Sequence, residues 1–105
     1  VFCHCSQCRK TSGHYWAATQ VSKGNLHLIK ATSLSWYDSS DKARRGFCSL
    51  CGSSMFYERK GIDKISVSAG SLELPTSLDR MRHIYVASKG DYYDISDDLP
   101  LFEEY

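Results

Sequence analysis

Proline is nearly missing from this chain: Pro75 and Pro100 are the only two in 105 residues. With no low-complexity tract and no linker, the sequence reads as one domain over 1–105. Long apolar runs are missing as well. None approaches the roughly 18 residues of a membrane helix, so no membrane is expected as a partner. Neither sign of charge dominates, since 13 Lys and Arg face 12 Asp and Glu for a formal charge of +1. That balance, without any basic run, removes the electrostatic basis for nucleic-acid binding. Sustained helical periodicity is also lacking, which leaves a mainly β fold. No secretory leader pattern is visible, and the expected setting is soluble and cytoplasmic.

What the chain has is aromatics and thiols. Seven Tyr, four Phe and two Trp accompany five cysteines. Cys3, Cys5 and Cys8 fall within six positions, and Cys48 with Cys51 follows some forty residues later. Disulfides fit this pattern poorly. Cys3 and Cys5 are too close to bridge in regular structure, and an odd number always leaves one thiol over. Gathering thiolates around an ion such as Zn²⁺ avoids both difficulties. Two ligand schemes stay open on spacing alone. Cys3, Cys5, Cys48 and Cys51 could make one four-thiolate site with Cys8 spare. Alternatively, Cys3, Cys5 and Cys8 hold one ion with a vacant position, and Cys48 with Cys51 holds another. Closing a loop of forty residues costs little more than one of twenty, so chain length does not choose.

Along the chain, Arg9–Gly13 reads as a short helical turn or loop carrying the third thiol. His14–Val21 alternates bulky and small residues and is expected to be a strand. Lys23-Gly24-Asn25 is a turn, with strands expected at Leu26–Lys30 and Leu34–Tyr37. A Cys-x-x-Cys-Gly turn at 48–52 is expected to join two strands as a zinc knuckle, Gly52 supplying the permissive backbone. Further strands are expected at Ser54–Glu58, Lys64–Ala69 and Arg82–Ala87, followed by a packed, irregular tail. The total is seven or so short strands.

The segment Cys3-His4-Cys5-Ser6-Gln7-Cys8-Arg9-Lys10-Thr11-Ser12-Gly13 resembles the central motif of the glutathione-dependent formaldehyde-activating enzyme family, in the Mss4-like superfamily with its centromere protein V-like relatives. The resemblance continues through Arg45–Gly52, Ser68–Glu73, His83–Val86 and the tail residues Tyr93, Ile95, Asp98, Leu99, Pro100 and Phe102. It implies an Mss4-like β-tent of short antiparallel strands with zinc-binding Cys turns. It assigns Cys3, Cys5 and Cys8 to a catalytic zinc. Cys48 and Cys51 go to a structural zinc completed by an upstream Cys-x-Cys-Gly element. That element does not occur in this sequence, and the expectation is that N-terminal strands carrying it precede Val1. The implied reaction is a carbon–sulfur lyase one, forming or cleaving the adduct of formaldehyde and glutathione, with glutathione as cosubstrate.

An anionic tripeptide calls for cations, and Arg9, Lys10 and Arg45 are the candidates, each equally readable as an ordinary surface charge. His4 is expected to turn away from the metal, because neighbours on an extended strand face opposite sides. His14 and His83 read as packing residues at most near the site, and Tyr15, Trp16, Tyr92 and Tyr93 as core first. Asp97-Asp98 reads as a solvated tail or a helix start. The main rival to the enzyme is a zinc-stapled, non-catalytic binding module, since fold alone does not fix function. Cys8 discriminates, because a purely structural four-Cys site has no use for it. A methionine sulfoxide reductase-like redox enzyme ranks below both, for it would need a nucleophilic cysteine free of metal. A homo-oligomer is admitted, because a second copy could supply a missing strand.

Overall fold

The computed structural model describes residues 1–79 and 81–105. Among these, seven strands and one α-helix make a mainly β fold: β1 (Phe2–Cys3), α1 (Ser6–Ser12), β2 (Trp16–Val21), β3 (Leu34–Asp38), β4 (Ala43–Cys48), β5 (Ser54–Arg59), β6 (Ile65–Ser68) and β7 (His83–Ile84). Three short 3-10 turns punctuate them, at Lys23–Asn25, Ala69–Ser71 and Val86–Ser88. The chain forms two compact units, one of Val1–Ala18 with Leu72–Tyr105 and one of Thr19–Ser71.

The second unit is an antiparallel meander of β3, β4, β5 and β6. Period-two burial places Ile65 and Val67 inside, together with Ala43 and Phe56. Gly46 lies opposite Trp36 on one side and Phe56 on the other. A Cβ at this position would come within 3.1 Å of both rings. Its absence lets Trp36 and Phe56 stack at 5.9 Å across the strand. The register shifts between Gly46 and Phe47, a bulge just ahead of the cysteine turn.

That turn joins β4 to β5 as expected. Gly52 N–H closes on the Cys48 carbonyl at 2.7 Å, and Cys48 N–H reaches the Ser53 carbonyl at 3.0 Å. Gly52 takes φ 78°, a left-handed value that a Cβ would strain.

The first unit is built on β1, which pairs antiparallel with β2 and parallel with β7. The tail extends this arrangement: His83 N–H donates to the Pro100 carbonyl at 2.9 Å and Phe102 N–H to the His83 carbonyl at 3.0 Å. The tail is therefore irregular in outline but bonded to the sheet edge.

Two expected strands differ. Leu26–Lys30 is not a strand: its apolar residues find no ladder partner, and Ile29 is 100% exposed. The strand expected over Arg82–Ala87 shrinks to β7, because Tyr85 turns to φ 57° and opens the 3-10 turn Val86–Ser88.

Candidate metal centre

Local structure brings three thiols together. Cys3 ends β1, held between its register partners Trp16 and Ile84. Cys5 is the N-cap of α1, with an extended backbone, and its Sγ accepts the Cys8 N–H at 3.3 Å. Capping by a side chain satisfies one of the amides that a helix start leaves without a partner. Cys8 then follows one helical turn later, on the same face as its cap. The helix stops at Gly13, whose N–H returns to the Arg9 carbonyl. The result is that the Sγ atoms of Cys3, Cys5 and Cys8 all lie within 4.8 Å of one another. Sulfurs each ~2.3 Å from a tetrahedral ion stand roughly 3.8 Å apart, so this cluster closes on a single soft cation with small side-chain movements.

The electrostatics agree with the geometry. Hydrogen bonds with the Cys5 and Cys8 sulfurs, then burial, push the Cys3 thiol far above its ordinary value. Cys3 and Cys8 are buried and Cys5 is half-buried. Such crowding keeps protons on sulfur until a cation takes their place. The donor set thus fits a metal ion.

His4, between two of these thiols, is completely buried, at 0% exposure. Its ring is turned among Tyr15, His83 and Tyr93. Its Nδ1 lies 2.5 Å from the Tyr93 hydroxyl and its Nε2 2.8 Å from His83 Nδ1. His83 Nε2 in turn meets the Asp97 carboxylate at 3.0 and 3.1 Å. Burial, then the neighbouring His83, pushes His4 down to about 4, so its ring is neutral at physiological pH. Burial raises the Tyr93 phenol, whereas the hydrogen bond from His83 holds the Asp97 carboxyl below its usual range. Spacing in the sequence could not reveal this string, because 79 positions separate His4 from His83 and 89 separate it from Tyr93. The available signal was a pair of polar residues, His4 directly after β1 and His83 in β7, where apolar ones are the rule.

The remaining candidates fall as follows. The Arg9 Nε donates to the carbonyls of His4 at 3.3 Å and Ser88 at 3.2 Å, so this cation braces the Cys-x-Cys arc from behind. Lys10 is exposed on α1. Arg45 belongs to the other unit, in β4, only 5% exposed and with its guanidinium 5.1 Å over the Tyr57 ring. His14 Nδ1 lies 3.0 Å from the Tyr92 hydroxyl at the surface.

Cys48 and Cys51 also belong to the other unit. Cys48 Sγ sits 3.7 Å from Ser33 Oγ and Cys51 Sγ 3.0 Å from Ser53 Oγ. Backbone N–H groups of the turn, that of Cys51 first, bring the Cys48 thiol down to about 7. Amides pointed at sulfur are what a thiolate ligand at a knuckle requires.

No curated protein sequence matches the chain. The sequence pattern of the family described as glutathione-dependent formaldehyde-activating enzyme does match, over residues 1–88, a stretch that takes in all five cysteines and the whole of β1 to β7. On that match, with three clustered thiols at its start, the chain belongs to the glutathione-dependent formaldehyde-activating enzyme family.

Proposed function

We propose that this protein is a zinc-dependent carbon–sulfur lyase that forms and cleaves S-(hydroxymethyl)glutathione or a closely related adduct of a small thiol and an aldehyde. The observation that carries the reading is the convergence of the Cys3, Cys5 and Cys8 sulfurs within 4.8 Å, in a segment that matches an enzyme family. In the forward direction the glutathione sulfur bonds to the formaldehyde carbon, and the thiol proton ends on the former carbonyl oxygen. A zinc ion on three thiolates, with a fourth position vacant, would lower the pKa of a substrate thiol toward neutrality.

The chain's own residues have four tasks. Cys3, Cys5 and Cys8 hold the ion; Cys5 does so while capping α1, so the helix start and the ligand set are one structure. Burial of Cys3 and Cys8 keeps water from competing at the reacting sulfur. Arg9 and Lys10, beside the third thiol, are assigned to the carboxylates of the tripeptide, Arg9 through the part of its guanidinium beyond Nε. Arg45 is left out of this role, since its guanidinium is buried over Tyr57. Cys48 and Cys51 are assigned to a second, structural zinc that needs further ligands from outside 1–105. Five thiols with no disulfide among them suit the reducing cytoplasm.

The test is Cys5→Ser. It should remove one zinc per chain and abolish the enzyme's acceleration of adduct formation over the spontaneous reaction, followed by the rate of loss of free thiol when glutathione and formaldehyde are mixed with and without enzyme. Full activity with one zinc fewer would reduce the three thiols to a staple. Wild-type protein that holds zinc but does not accelerate adduct formation would make it a binding module.

A further inference from the structure

We propose that Asp97 and His83 are positioning residues for the Cys3–Cys5–Cys8 centre, acting through His4 to hold the Cys-x-Cys arc in one metal-ready geometry. The inference rests on the reading that these thiols bind a metal. It begins with the direction of a hydrogen-bond string. A carboxylate can only accept, so at 3.0 Å from Asp97 it is His83 Nε2 that carries the proton. With that proton on Nε2, the His83 Nδ1 accepts, and at 2.8 Å it fixes the proton of His4 on Nε2. His4 Nδ1 accepts in turn from the Tyr93 hydroxyl at 2.5 Å, whose oxygen takes the Gly90 N–H at 3.3 Å. Every donor has one acceptor, and the string runs one way.

His4 is where this direction meets the thiols. Both of its ring nitrogens are engaged. Its N–H donates to the Ile84 carbonyl at 3.0 Å and its carbonyl accepts from Arg9 Nε at 3.3 Å. The residue between Cys3 and Cys5 is thus tied at four polar atoms while completely buried. Rotation of its peptide units would turn the flanking sulfurs apart, and the buried ring, bonded at both nitrogens, holds those units in place. Tyr93 and Asp97, the two ends of the string, lie beyond the stretch that matches the family. The anchoring of the arc therefore comes from the tail of this chain.

Asp97 is the handle for a test, since its side chain is 45% exposed and its replacement leaves the core intact. In Asp97→Asn the amide can offer N–H to His83 Nε2, which reverses the string. Two readouts are taken on the 105-residue chain at pH 8, above the ordinary imidazole range. Long-range ¹H–¹⁵N spectra of the metal-free protein locate the ring protons. Cobalt titration gives the metal affinity and the thiolate-to-metal band. In wild type both imidazoles should carry their proton on Nε2. In Asp97→Asn the protons should move to Nδ1, the Co²⁺ affinity should fall about tenfold and the band should shift at saturating cobalt. Asp97→Glu should restore both.

A wild-type His4 protonated on Nδ1 would overturn the string, and this arm stands even if a variant does not fold. A reversed string with cobalt affinity and band unchanged would overturn the positioning role and make the string a clamp on the tail alone. So would a loss that Asp97→Glu fails to repair. A wild-type protein that takes up no cobalt would instead contradict the metal reading itself.

Discussion

At the scale of single residues, Glu58 shows how the second unit pairs a carboxylate with two cations. Its carboxylate pairs with Lys23 at 2.8 Å and with the Arg44 guanidinium, which lies 4.0 Å over the Trp36 ring. The Lys23 hydrogen bond is the main reason its pKa lies below the ordinary 4.5. A depressed carboxylate contributes stability above its unfolded pKa and loses it as pH falls through the folded one. Because both cations are more than a third exposed, the contribution is small after solvent screening, about 0.5–1 kcal/mol. Glu58→Gln should lower urea stability by about that amount at pH 7, and the difference from wild type should shrink below about pH 4.5. A difference that persists unchanged at pH 3 would assign the loss to packing. At the same scale, residue type and spacing marked the cysteines as soft-metal ligands, and the family resemblance grouped Cys3, Cys5 and Cys8 as one set. His83 and Asp97 could not, because their partners are set by the tertiary fold.

Elements add what residues alone do not. The Cys-x-Cys-x-x-Cys segment works because a strand end, an N-cap and one helical turn follow in direct succession. The strand ends at Cys3, the cap is Cys5, and the turn delivers Cys8. In the meander, Gly46 is a packing choice: Ala there would press its Cβ to 3.1 Å from the Phe56 and Trp36 rings. Overfilling a packed position of this kind costs about 1–3 kcal/mol. Gly46→Ala should show that loss in urea unfolding, and a fully stable variant would mean that the stacked pair yields freely. The reading from alternation and turn signals foretold β2, β3, β5 and β6 to within a residue or two. It failed at Leu26–Lys30, where the pattern was present but nothing pairs with it, and at Tyr85, where a left-handed residue broke a good β sequence. Period-two alternation reports a preference for a half-buried surface, and it forms a strand only when a neighbour supplies the ladder.

At the scale of the whole molecule, the two units each carry one cysteine group, Cys3, Cys5 and Cys8 in one and Cys48 with Cys51 in the other. The family, the mainly β fold and the thiol cluster were legible in the sequence because motif spacing and alternation are local properties. The division into units and the His4–His83–Asp97 string were not, because both depend on contacts between the first eighteen residues and the segment from Leu72 onward. Thiolate sites of this kind couple metal to folding. Removal of metal by a chelator should therefore lower the thermal midpoint of the loaded protein, and a midpoint indifferent to chelation would mean that the thiols hold no ion of structural weight.

The central claim is that Cys3, Cys5 and Cys8 hold an ion with a position left for a substrate thiol. The direct measurement is the absorption spectrum of the cobalt-substituted protein before and after glutathione is added. An added thiolate-to-cobalt band on glutathione binding, lost in Cys5→Ser, is the predicted result. A spectrum already saturated with four thiolates and unmoved by glutathione would contradict the claim and leave the cluster as a structural staple.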